Sequence, residues 1–307
     1  MMPNSLSFLD PEEIFTRHET SAVVILPVPY EGGVSSGKGT AGAPAAVIEA
    51  SRFLELYDET LDAEPHRVGI FTAAPLDIPF QGGSVTGEVR PAVDGIIRSG
   101  RFPVLLGGDH SITPGAVEAA AGHYPSLGVV QLDAHADLRP EYEGSRHSHA
   151  CVMARVREIT AGTLQVGIRS MSVEEARLAS AEGLALCTMS RFRSGRFDRV
   201  SALAALPRDV YVTVDVDVFD WSVVASTGTP EPGGMLWDEA LDFLGLIFST
   251  RNVVGFDVVE LSGSENDRNS SFAVAKLVYR MVGLKLKAEV ERRGMPWPEV
   301  PSGPLAG

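Results

Sequence analysis

Leu127-Gly128-Val129-Val130-Gln131-Leu132-Asp133-Ala134-His135-Ala136-Asp137 is the stretch on which the fold turns. Its first six residues are mostly aliphatic and lack polar–apolar alternation, as in strands covered on both faces of a parallel sheet. An acid–imidazole–acid triplet then takes over. Similar short runs occupy 22–27, 68–72, 103–106, 164–168, 184–187, 210–214 and 253–258, which makes about eight candidate strands. Segments 43–54, 88–99, 113–121, 173–181 and 236–248 between them read as helices. The alternation predicts an α/β fold with a mainly parallel sheet.

A last helix is expected to start near Ser270 or Ser271, either of which can cap it, and to run through Leu277, Met281 and Leu284 before Arg292, Arg293 and Gly294. No repeat, low-complexity block or long polar linker interrupts the pattern, so residues 1–307 are read as one domain. The reading allows for a mobile N-terminal segment and a Pro/Gly-rich C-terminal tail.

Two cysteines, Cys151 and Cys187, are too few for a disulfide framework and fit a reducing compartment. No run reaches the roughly 18 apolar residues of a membrane span, and the first residues resemble no leader, so a cytoplasmic protein without a membrane partner is expected. The formal charge of -14 disfavours nucleic acid, whose phosphates call for clustered Lys and Arg. It suits a small cationic substrate, although acidity also serves solubility alone.

In open parallel sheets, ligands bind beyond the carboxyl ends of the strands, and the ionisable residues gather there. Run 103–106 leads into Gly107-Gly108-Asp109-His110-Ser111, run 127–132 into Asp133, His135 and Asp137, and run 210–214 into Asp215-Val216-Asp217. In extended backbone, residues i, i+2 and i+4 face the same way, so each motif can aim its side chains at one point. A single strand-end Asp more often caps the following turn, but that does not account for Asp-x-His-x-Asp after an apolar strand. Four carboxylates packed together repel one another unless cations compensate, and two divalent ions would do so. The donors are oxygen and nitrogen without sulfur, which favours manganese over zinc and leaves cobalt, nickel and iron open.

These three motifs, in this order, resemble the metal motifs of the ureohydrolases, the arginase and agmatinase family. The likeness extends through Gly-Thr-Pro-Glu-Pro-Gly-Gly at 228–234, Gly-Phe-Asp-Val-Val-Glu at 255–260 and Ala-Lys-Leu-Val-Tyr at 275–279, covering about 23–283. It implies a single three-layer α/β/α domain of the arginase type, and a trimer or hexamer. It also implies two Mn2+ ions, one held by His110, Asp133, Asp137 and Asp215 and the other by His135, Asp133, Asp215 and Asp217. Asp133 and Asp215 would bridge. A hydroxide shared by the ions would attack a guanidinium carbon, giving urea and a primary amine.

The resemblance makes Glu260 a guanidinium acceptor and places His149 near the substrate as a proton relay or orienting group. Asp137 would also carry the proton from hydroxide to leaving amine. Loop 228–234 would lie at the rim of the site, and Asp220 would fix a loop or support a ligand from behind.

Arginases usually carry Ser-x-Asn-x-His-Gly after the second motif to recognise the α-carboxylate and α-amino groups, and segment 138–150 lacks the asparagine. Agmatine, which has no carboxylate, is therefore the leading substrate, with putrescine and urea as products. Aminopropylagmatine, guanidinobutyrate and arginine are the alternatives; Arg139 and Arg146 are the groups that could accept a carboxylate. Departures at 37–44, 221–222 and 225–227 touch the rim and leave the ligands intact. A binuclear phosphoesterase would order its motifs differently and add Gly-Asn-His. A deacetylase would need a smaller ligand set. An inactive metal-binding or oligomeric homologue would have lost a ligand or Glu260.

Overall fold

Eight strands, all paired in parallel, form one sheet in the order β2-β1-β3-β8-β7-β4-β5-β6 in the computed structural model. The structure describes residues 1–35, 37–78, 85–160, 162–263, 267–301 and 303. The strands are β1 (Val23–Val28), β2 (Ile70–Thr72), β3 (Phe102–Gly107), β4 (Leu127–Leu132), β5 (Gly162–Ile168), β6 (Ala185–Thr188), β7 (Asp209–Asp215) and β8 (Asn252–Val259). Each overlaps an expected run. Their missing alternation has a simple cause: Val23 and Ile25 of β1 enter one hydrophobic core, and Val24, Leu26 and Val28 enter another on the opposite face.

One helical layer contains α2 (Val85–Arg98), α3 (Thr113–His123), α4 (Val152–Ile159) and α5 (Val173–Ala181). The other contains α1 (Ala43–Ser51), α6 (Met189–Arg193), α7 (Arg199–Ala204), α8 (Trp237–Thr250) and α9 (Arg268–Arg293). Val85, Val89, Val93 and Ile96 give α2 its buried stripe at helical spacing. Phe243, Leu244 and Ile247 do the same for α8 against Leu277, Val278 and Met281 of α9. The fold is thus the three-layer α/β/α sandwich expected.

The expected cap of the last helix needs correction. Asp267 is the cap, accepting a hydrogen bond from Ser270 N at 3.1 Å, and the helix begins at Arg268. Ser270 Oγ is instead committed to Ala225 N and Ser226 N, at 2.9 and 3.2 Å. Gly294, with φ of 61°, ends α9 in the left-handed conformation. Helices α4, α6 and α7 are too short to stand out by periodicity.

The N-terminal segment, for which mobility is expected, lies along β2. Asn4 N donates to Thr72 O at 2.9 Å, and the Phe8 ring is fully buried. Of the Pro/Gly-rich tail, residues 302 and 304–307 lie outside the described residues. No helix of the described residues is long and apolar enough to cross a membrane.

Candidate metal centre and its cavity

Strands β3, β8, β7 and β4 are consecutive neighbours, and their carboxyl ends carry His110, Glu260, the pair Asp215 and Asp217, and the triplet Asp133, His135 and Asp137. Residues separated by up to 150 positions meet because the sheet order places these strands side by side.

The local route to that meeting differs from the extended backbone expected. Chain 133–137 has left the strand, His135 forms only an isolated bridge to Ser170, and Asp137 has φ of 52°. Asp137 is thus turned inward by a left-handed residue, a conformation Asp tolerates better than most side chains. A short 3-10 turn, Val216–Val218, carries Asp217. Before His110, Gly108 passes so close to Tyr30 that a Cβ there would lie 1.8 Å from the Tyr30 carbonyl oxygen. Only glycine fits that approach.

His110 Nδ1 lies 3.3 Å from Asp133 Oδ2, 3.3 Å from Asp137 Oδ2 and 3.4 Å from Asp215 Oδ2. His135 Nδ1 lies 2.9 Å from Asp217 Oδ2 and 3.7 Å from Asp133 Oδ1. Asp133 therefore presents one oxygen to each group. Asp215 Oδ1 accepts from Asp217 N at 2.9 Å, so only its Oδ2 faces the His110 group. Ligand atoms of His110, Asp133 and Asp137 lie within 4.8 Å of one another, as do those of Asp133, His135 and Asp217, and both groups could hold a cation.

The electrostatics favour this reading. His110 Nδ1 is buried without a hydrogen-bond partner, although three carboxylate oxygens surround it. A buried ring nitrogen of that kind is what a metal ligand offers. Burial works against charge on His135, yet Asp133 and Asp217 push it up to about 12. Burial and then the Asp133 charge push Asp137 up to about 7. Burial and then Asp217 hold Asp215 well above the carboxylate range. Without a cation the centre must keep protons to offset its carboxylates.

Behind His110, Nε2 lies 2.8 Å from Thr213 Oγ1, and Thr213 in turn donates to Asp257 Oδ1 at 2.5 Å. This relay fixes the ring with Nδ1 toward the carboxylates. It is legible in the sequence only as polar residues interrupting apolar strands.

Glu260 has φ of 65° and is buried, its Oε1 accepting from His110 N at 2.8 Å and lying 3.1 Å from His149 Nδ1. On the far side, His149 Nε2 lies 2.8 Å from Ser35 Oγ. Burial opposes charge on His149, but the Glu260 carboxylate holds its pKa above the usual value.

A cavity of about 290 Å³ opens onto the centre, lined by His110, His135, Asp137, His149, Asp215 and Thr229, and by Arg139, Tyr142, Met171 and Glu175. Glu260 is not on its wall. Glu175, missed by the sequence reading, is buried, and it also closes the capping box of α5 with Ser172. Arg139 Nε lies 3.9 Å from Glu175 Oε2, whereas Arg146 is engaged by Glu158 away from the cavity. Thr229 brings loop 228–234 to the rim, and Arg169 ties it down through Glu231 O and Pro232 O at 2.9 and 3.1 Å. Asp220 accepts from Ser222 N and Oγ, which fixes its own turn.

With this geometry in view, comparison with known proteins is decisive. The arginase family profile matches residues 21–283. The chain belongs to the arginase family. It is 40% identical over 284 residues to the N(1)-aminopropylagmatine ureohydrolase of Synechocystis sp., covering 90% of this chain and 92% of that one. The agmatinase of Pyrococcus horikoshii is 34% identical, with 86% and 92% covered. Agmatine ureohydrolase of Thermoplasma volcanium superposes with a TM-score of 0.84 at 26% identity, covering 92% of this chain and 96% of that structure. This arginase-family chain is accordingly a ureohydrolase, acting on amidine C–N bonds of a guanidino compound, and its family works with a binuclear metal centre.

Proposed function

We propose that this ureohydrolase acts on a guanidino-terminated polyamine, with two manganese ions held by the two residue groups that share Asp133. The observation carrying this reading is one cavity onto which His110, His135, Asp137 and Asp215 open, beside a Glu175 carboxylate already engaged by Leu138 N, Ser172 N and Arg139. A cavity opening on those carboxylates suits the guanidinium end of a cationic molecule. N1-aminopropylagmatine is the first choice, because the relative at 40% identity carries that activity in its name. Agmatine is the second reading, favoured by the missing arginase segment at 138–150 and by the agmatinase at 34% identity.

When bound, the two ions would lower the pKa of a water molecule to near neutrality and so supply the nucleophile. Asp137 would take up its proton and hand it to the leaving amine. His149, held between Ser35 and Glu260, would orient the guanidino group. Glu260 Oε1 is occupied by His110 N and His149 and the residue lies off the cavity wall, so Oε2 is the oxygen a guanidinium would have to reach. Nitrogen and oxygen donors without sulfur underlie the choice of manganese. A cytoplasmic, single-domain protein assembled as a trimer or hexamer completes the proposal.

The test is urea release by manganese-, nickel- and cobalt-loaded protein from N1-aminopropylagmatine, agmatine, guanidinobutyrate and arginine. The two polyamines should yield urea, the aminopropyl compound with the higher kcat/KM. Silence with all four compounds and all three metals would refute the assignment.

A further inference from the structure

Beneath the ligand layer runs a row of buried polar residues that the reaction does not itself require. Gln165 of β5, Gln131 of β4, Thr213 of β7 and Asp257 of β8 are in direct register across the sheet, and all four are buried. Gln131 lies two residues before Asp133, hence on the same side of the chain.

Its amide is fully directed. Gln165 Nε2 donates to Ala136 O at 2.7 Å and to Gln131 Oε1 at 2.6 Å, which turns the Gln131 NH2 toward the carboxylates. Gln131 Nε2 then donates to Asp133 Oδ2 at 2.6 Å and lies 3.4 Å from Asp137 Oδ2. Only the NH2 end of an amide can face carboxylates, so chemistry fixes the same orientation. Both contacts go to oxygens that also face His110 Nδ1. None reaches Asp133 Oδ1, His135 or Asp217 among the hydrogen bonds of the described residues.

We propose that Gln131, locked by Gln165, is a positioning residue that acts selectively on the ion of the His110 group, orienting Asp133 Oδ2 and Asp137 Oδ2 toward it while leaving the His135 group alone. This rests on the reading that the two groups hold the two ions. A carboxylate oxygen has two lone pairs, so the amide takes one and leaves the other for a cation. Without the amide, Asp133 Oδ1 is still held by His135 N at 2.5 Å, whereas Oδ2 and Asp137 Oδ2 lose the donor that aims them at the His110 group.

The experiment is a Mn2+ titration of the metal-free full-length chain, by calorimetry and by EPR of free Mn2+, on wild type, Gln131→Met and Gln165→Met. Methionine keeps the length and removes the donor. Losing a group that supports a metal ligand typically costs about 10–100-fold in affinity. That loss is expected for one ion only, the one removed by His110→Ala and spared by His135→Ala, while the affinity of the other is unchanged. Gln165→Met should give the same one-sided loss, smaller in size, and serves if Gln131→Met fails to fold. A folded variant in which both ions weaken alike, or neither does, overturns the proposal. His110→Ala and His135→Ala variants that each keep both ions would instead overturn the two-ion reading itself.

Discussion

Asp133 is the residue on which the two cation groups depend, since one carboxylate supplies an oxygen to each. Asp133→Ala should leave fewer than two tightly bound Mn2+ per chain and reduce urea release to background; metal analysis after gel filtration checks the first outcome. Protonation follows from the same crowding. In the metal-free protein the pKa of His135 is raised to about 12 and that of Asp137 to about 7, so both hold protons below those values. Cations must displace these protons, so binding should release protons, and affinity should fall as pH drops from about 8 to about 6. Calorimetry in two buffers of different ionisation enthalpy measures the release. Glu260→Gln separates two roles: a rise in KM marks contact with the guanidinium, whereas a fall in kcat alone marks the hold on His149.

The six expected metal ligands, five of them in the two cation groups, were legible because their spacing was dense and each motif followed an apolar run. The way they converge was not, since nothing in the triplet announces that Asp137 turns left-handed. Glu175 and Tyr142 lacked any signal. Glu175 reaches the cavity from a helix start and Tyr142 from the loop just after the 133–137 motif, where no spacing marks either side chain.

At the level of elements, all eight strands could be read from sequence because burial on both faces writes itself as an unbroken apolar run. Helix starts were harder, because Ser270 offers the same hydroxyl as a cap but is used by a neighbouring loop. Asp267→Ala should lower stability by about 1 kcal/mol, the usual value of a helix cap, without changing metal stoichiometry. Thermal melts of metal-free protein will read it. Gly108→Ala forces a side chain against the Tyr30 carbonyl in the turn that delivers His110. The expected outcome is a loss of about 3 kcal/mol, together with weakened Mn2+ binding, seen in denaturation and metal titrations.

For the whole molecule, a cation bound only by the folded chain stabilises it by mass action. At a thousandfold excess over Kd, that amounts to about 4 kcal/mol per ion. The melting temperature should therefore rise with Mn2+ concentration and fall back on adding chelator, and the Asp133→Ala variant should respond less.

The sheet order carries one more consequence. Among the described residues β8 is the last strand in sequence, yet it lies inside the sheet and joins β2-β1-β3 to β7-β4-β5-β6. A ribosome that has delivered everything up to residue 251 has therefore made two part-sheets with unpaired inner edges, β3 and β7, and no means of closing them. Hydrophobic edges of this kind invite pairing with other chains. Insertion of residues 252–259 both seals the sheet and brings His110 within reach of its carboxylates.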